Sequence, residues 1–170
     1  MAKFSEEEIK SFMRGMAKGL YEMHKYNIMH RDIKPENIML RGEYGLNPVI
    51  ADFGLAADTE SNDYIFYRCG TPGYVAPEII TCKKGDKLST ACDIFSAGLI
   101  FHILLVKRPL FEGSTCDEVY ENNKKCKFNL NASMYDRVDP QAMDLLKKML
   151  ELNPTERMTA EDMLRHPFLF

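Results

Sequence analysis

The chain has 170 residues and a formal net charge of -3, with its basic residues scattered, so it suits one domain and offers no nucleic-acid surface. Its five cysteines, Cys69, Cys82, Cys92, Cys116 and Cys126, form no C-x-x-C pair, which fits reduced thiols in a cytoplasmic or nuclear compartment. The opening Met1-Ala2-Lys3-Phe4 runs into acidic residues instead of an apolar leader, and the most apolar segment, Ile94 to Val106, is too short to span a bilayer.

Ser5-Glu6-Glu7-Glu8 reads as a capping box, and Ile9, Phe12, Met13, Met16, Leu20 and Met23 recur at three- and four-residue steps. The pattern predicts a helix ending near His24. Next comes His30-Arg31-Asp32-Ile33-Lys34-Pro35-Glu36-Asn37, set between Ile28-Met29 and Ile38-Met39-Leu40, both expected to be buried anchors. Pro35 cannot continue a helix and biases Lys34 toward an extended backbone, so a loop is expected to hold Asp32, Lys34 and Asn37 in fixed directions.

Asn37 to Arg41 and Pro48 to Ala51 read as strands joined by a Gly- and Asn-containing turn over 42–47. That hairpin brings Asn37 and Asp52, the latter in Asp52-Phe53-Gly54, to one end. Two acids and an amide there suit a hard divalent cation bound through oxygen. From Asp52 to Glu78 the chain is polar and then rich in Gly and Pro, with few ways to bury apolar surface, so mobility is expected.

Leu88 to Val106 is expected to be a buried helix capped by Ser89 or Thr90, with Asp93 either in need of partners or facing the surface. Ser114 to Lys124 suggests an exposed helix. Asp139-Pro140 caps another, with Ala142, Leu145, Leu146, Met149 and Leu150 as its stripe, and Thr159-Ala160-Glu161-Asp162 starts a last one ending before Pro167.

The order His30-Arg31-Asp32 with Asn37, then Asp52-Phe53-Gly54, then Ala76-Pro77-Glu78 resembles the signature set of the protein kinases. Gly70 to Glu78 is similar to the calcium/calmodulin-dependent kinase group, and Lys34 resembles serine/threonine rather than tyrosine kinases. The resemblance implies a mainly α fold: a kinase-like C-terminal lobe, a helical bundle with a small β-hairpin carrying the catalytic and metal-binding loops.

It also implies roles. Asp32 would accept or orient the proton of a substrate hydroxyl, Lys34 would place positive charge beside the transferring group, and Asn37 and Asp52 would hold Mg2+ on ATP. On the cofactor side, Met39 would lie under the adenine, although a core methionine explains it equally well. Glu36 matches a position reading basic residues upstream of the phosphoacceptor.

Arg31 would meet a phosphate on the activation segment, yet Tyr67 stands where relatives often carry a phosphorylatable Thr. Phosphorylation at Thr59, Ser61 or Thr71, acidic mimicry by Asp63, or no such step all remain open. His30 and Phe53 are structural members of their motifs. Asp93 would accept catalytic-loop amides, with Phe95 replacing the usual Trp beside it. Arg157 would pair with Glu78, a pair whose loss costs about 3 to 5 kcal/mol when buried.

The resemblance covers residues 4–170, and no G-x-G-x-x-G occurs, so residues 1–170 read as the C-terminal lobe of a kinase domain whose N-terminal lobe is a missing partner. The expected function is transfer of the ATP γ-phosphate to Ser/Thr of protein substrates. The isolated chain is expected to bind ATP poorly and transfer little. The alternative is a non-catalytic binding or regulatory module. An uncovered face around Met39, Phe53 and His30 suggests self-association. No D-x-D-x-D-G calcium loop is present.

Overall fold

The Ser5 hydroxyl accepts the Glu8 amide at 3.3 Å and the Glu8 carboxylate accepts the Ser5 amide at 2.6 Å, closing the capping box. Helix α1 then runs Glu6–His24 in the computed structural model, which describes residues 4–42, 46–61 and 63–170. Ile9, Met13, Met16, Ala17 and Leu20 form its buried stripe.

Strand β1 is Ile28–Met29, a 3-10 turn covers Pro35–Asn37, and β2 is Ile38–Arg41. Lys34, before the proline, is extended at φ -155° and ψ 162°. Strand β3, Asn47–Ile50, pairs antiparallel with β2 so that Ile38 faces Ile50 and Arg41 faces Asn47. The expected 42–47 turn lies partly outside the described residues. Strand β4, Ala57–Asp58, returns antiparallel to β1, with Met29 opposite Ala57. The β2–β3 hairpin lies against α1 where the helix carries glycine: a Cβ on Gly15 would stand 2.5 Å from Pro48 Cδ.

Helix α2, Pro77–Thr81, leads to α3, Ala91–Val106, whose residues from Cys92 through His102 are all buried. A helix apolar around its circumference belongs in the middle of a core, and α1 and α5 pack on it. It starts later than the expected Leu88. Thr90 takes the cap position in helical conformation without a side-chain cap bond, because the Ser89 and Thr90 carbonyls already accept the amides of Cys92 and Asp93. Helix α4 is Cys116–Lys125, α5 is Pro140–Met149 with Asp139 accepting the Gln141 and Ala142 amides, and α6 is Ala160–Leu164 behind a Thr159/Asp162 capping box.

The result is mainly helical, with two small two-stranded sheets among the described residues. All five cysteines are free, and among the described residues no helix is long and apolar enough to cross a membrane.

Three burial expectations are corrected. Met39 and Leu40 are 63% and 52% exposed and Ile28 is 37% exposed, so each apolar run is buried only in part, through Met29 in the first and Ile38 in the second, and Met39 is no core methionine. His30 is fully buried and lies on no uncovered face. Within 52–78, Tyr64, Val75 and Ala76 join the core, so the segment does bury apolar surface.

Candidate active site

The loop carrying Asp32 hangs on the first turn of α3. Asp93, fully buried, accepts the amides of His30 at 2.8 Å and Arg31 at 2.9 Å, and its Oδ2 lies 3.0 Å from His24 Nε2. Three nitrogen donors, with the Cys92 thiol 3.7 Å from Oδ1, compensate the burial of one carboxylate, which removes the surface-facing alternative. The turn that aims both amides at it puts Arg31 in the left-handed region at φ 67°. His30 Nδ1 accepts the Asp32 amide at 3.3 Å while Nε2 lies 3.0 Å from the Ala51 carbonyl, an arrangement that suits the Nε2–H tautomer. That ring therefore spaces the Asp32 loop from the strand leading to Asp52, and Phe53 meets it edge-on with centroids 5.1 Å apart.

Asp32 Oδ2 lies 2.9 Å from Lys34 Nζ, and its Oδ1 accepts the Thr71 hydroxyl at 2.7 Å. Lys34 Nζ also donates to Thr71 Oγ1 at 2.8 Å, closing a triangle of carboxylate, ammonium and hydroxyl. The Asn37 amide group donates to the Asp32 carbonyl at 2.9 Å and to Oδ2 at 3.2 Å, which turns its own oxygen away from Asp32. The Asn37 carbonyl accepts the Ala51 amide at 2.9 Å, so the residue preceding Asp52 is tied directly to Asn37.

Asp52 is exposed, has φ 63°, and accepts the Gly54 amide at 3.2 Å through Oδ1. A carboxylate and an amide oxygen are hard donors. Among the described residues no three or more His, Cys, Asp or Glu converge, and a cation held by one carboxylate and one amide oxygen would take its remaining ligands from phosphate and water.

The Arg31 guanidinium donates to the Leu55 carbonyl at 2.7 Å and the Phe66 carbonyl at 2.6 Å and lies 5.1 Å over the Tyr64 ring. Backbone and ring thus take it. Tyr67 packs edge-on against Tyr64 and donates to Asp63 at 3.1 Å. Glu36 is exposed, and its charge, together with burial, raises the Tyr74 phenol above its ordinary value, burial being the larger cause. Met39 and Phe53 are exposed on the hairpin side of the site. Arg157 reaches Glu78 at 2.6 Å, away from this cluster.

Three contributors carry no sequence signal of their own. His24 ends a helix stripe, yet it completes the Asp93 cluster. Asn123, on a helix that reads as solvated, is fully buried and holds the segment after Thr71, accepting the Gly73 amide at 3.0 Å and donating to the Val75 carbonyl at 2.9 Å. Tyr64, in a stretch that reads as polar, anchors 52–78 by accepting the Leu88 amide at 3.1 Å.

A family model described as the protein kinase domain matches residues 1–169. The chain belongs to the protein kinase domain family. It is 34% identical over 167 residues to serine/threonine-protein kinase 17A of Oryctolagus cuniculus, covering 98% of this chain and 41% of that protein. Its structure is similar to the twitchin kinase region from C. elegans, with a TM-score of 0.83 and 33% identity over 99% of this chain and 30% of that one. This kinase-domain chain therefore spans about two fifths of the length of the rabbit relative. Kinases of this family generally use ATP and Mg2+ on protein substrates.

Proposed function

We propose that the chain is the C-terminal lobe of a protein serine/threonine kinase, similar to the calcium/calmodulin-dependent group, that transfers the ATP γ-phosphate to Ser or Thr of protein substrates. The observation that carries this is the Asp32–Lys34–Thr71 triangle. A hydroxyl already sits 2.7 Å from Asp32 with an ammonium beside it, the arrangement an arriving alcohol and its phosphoryl acceptor geometry require. Asp32 orients the substrate hydroxyl and takes its proton, Lys34 neutralises charge building on the transferred group, and Thr71 fixes both side chains.

Asn37 and Asp52 would hold Mg2+, which supplies charge neutralisation on the phosphates when bound. Met39 would meet the nucleotide base, and exposed Glu36 favours basic substrates. A second lobe covering the phosphates would complete the site, and reduced thiols suit a cytoplasmic or nuclear compartment.

The test compares this 170-residue chain with the longer polypeptide on a basic Ser-containing peptide with Mg-ATP. The longer form transfers phosphate, Asp32→Asn lowers its kcat by about 10²-fold or more, and the short chain transfers negligibly. A longer form with no transfer at all would favour a non-catalytic binding module instead. Full retention of activity by Asp32→Asn would remove Asp32 from the role given it.

A further inference from the structure

A cavity of about 540 Å3 lies between the end of α3, the turn over 108–112, α4 and the connection over 127–135. Its size is that of a ligand pocket, and it shares no residue with the Asp32 cluster. Its floor is aromatic. Phe111 and Phe128 meet edge-on with centroids 6.2 Å apart, and buried Tyr135 lies with its hydroxyl 2.8 Å from His102 Nε2. Burial holds His102 down to about 4, so at neutral pH the floor carries no charge. Asn122 donates to the Glu112 carbonyl at 2.8 Å, which joins two of the walls.

The rim has the opposite character. Arg108, Lys125 and Lys127 stand there against a single carboxylate, Glu112, and Arg108 already takes that one at 3.0 Å. Among the described residues Lys125 and Lys127 have no carboxylate within ion-pair distance. Two uncompensated ammonium groups thus flank an apolar floor, on a chain whose net charge is -3.

We propose that this cavity is a docking site for an acidic protein segment bearing an apolar side chain, which enters the floor while carboxylates on either side meet Lys125 and Lys127. Lysine is a flexible point charge that suits carboxylates on a mobile chain. Exposed ion pairs contribute little each, so the buried apolar anchor carries the affinity and the lysines set the sign of charge accepted. Met134, 43% exposed, extends the apolar surface outward from the floor, as an extended segment requires and a small acid does not.

The experiment is fluorescence polarisation of the chain with a fluorescein-labelled peptide of Glu and Asp around one central Phe. Saturable binding is expected, weakened about tenfold by the double variant Lys125→Glu/Lys127→Glu and to a similar degree by replacing the peptide's Phe with Ser. Both lysines are exposed, and an unchanged thermal melt of the variant establishes that it folds. A benzophenone in place of the Phe is expected to cross-link within 108–135. Absent binding, equal binding to the charge-reversed variant, or cross-links confined elsewhere would overturn the proposal. So would phenylacetate binding as tightly as the peptide, which would make the ligand a small aromatic acid.

Discussion

Arg157 places two guanidinium nitrogens on the Glu78 carboxylate, at 2.6 and 3.2 Å, bridging positions 79 residues apart. The same side chain donates to the carbonyls of Glu151, Ala91 and Leu152 and lies 4.9 Å over the Phe95 ring. One buried cation thus joins α2, the start of α3 and the connection into α6. Phe95 packs under it where the family's Trp is expected.

Removing Arg157 leaves Glu78 and three carbonyls without their donor in a dry setting, so Arg157→Ala is expected to cost about 3 to 5 kcal/mol by urea denaturation. Arg157→Lys recovers little, because an ammonium cannot span that fork of acceptors. A lysine variant as stable as the parent would show that charge alone, and not bidentate geometry, holds the joint.

Gly15→Ala isolates the seating of the hairpin. Alanine favours a helix over glycine by about 1 kcal/mol, which alone predicts stabilisation. Here the new Cβ would stand 2.5 and 2.7 Å from two carbons of the Pro48 ring, and a ring fused to backbone yields poorly. The expected net result is a loss of about 1 to 3 kcal/mol with faster exchange of the β2–β3 amides. A stabilised variant would mean the hairpin can lift from α1 at no cost.

The contrast between these two sites explains what the sequence made legible. Caps and stripes are local, so α1, α5 and α6 could be read from Ser5, Asp139 and Thr159 with their apolar periods. The resemblance to the kinases also implied that Arg157 would pair with Glu78. Contacts set by the assembled fold leave no local trace: two-residue β1 and β4 have no period to detect, and Asn123 sits among charged neighbours yet points inward. Exposure of Met39 and Leu40 was hidden for the opposite reason, since an apolar run looks the same whether it is covered or bare.

Asp93→Asn tests the anchor of the Asp32 loop. An amide in place of the carboxylate presents an NH2 toward the His30 or Arg31 amide, leaving donor facing donor, and gives up the charge that His24 meets. A loss of about 3 kcal/mol is expected, with the His30 and Arg31 amides losing exchange protection ahead of the rest of the chain. His24→Ala should cost less, about 1 kcal/mol, since it removes one of three nitrogen donors. Equal protection in Asp93→Asn and parent would mean the loop is held by its strands.

Met39, Leu40 and Phe53 form the apolar exposure beside the site, and His30 adds nothing to it. If this face self-associates, as its apolar character suggests, Met39→Ser/Phe53→Ser should lower the association seen by sedimentation velocity without changing the melting temperature. A parent chain that remains monomeric at high concentration would remove the premise.

His102 makes stability depend on pH in a stated direction. Burial lowers its folded value to about 4, below the ordinary 6.5, with the Arg108 backbone and Glu112 opposing the shift. Between those values the unfolded chain binds a proton that the folded chain refuses, so stability rises with pH across this window and is lost as pH falls. Acidification from neutral to about pH 5 is expected to cost roughly 2 kcal/mol through this group alone. Asp144, lowered by Lys148 and His166, and Asp162, lowered by Thr159, lose their contributions only in more acidic solution, as carboxylates with depressed values do. His102→Gln keeps a polar partner for Tyr135 and cannot titrate. Its urea midpoint should therefore fall less than the parent's from neutral to about pH 5, whereas parallel slopes would show that His102 takes up its proton without leaving the folded state.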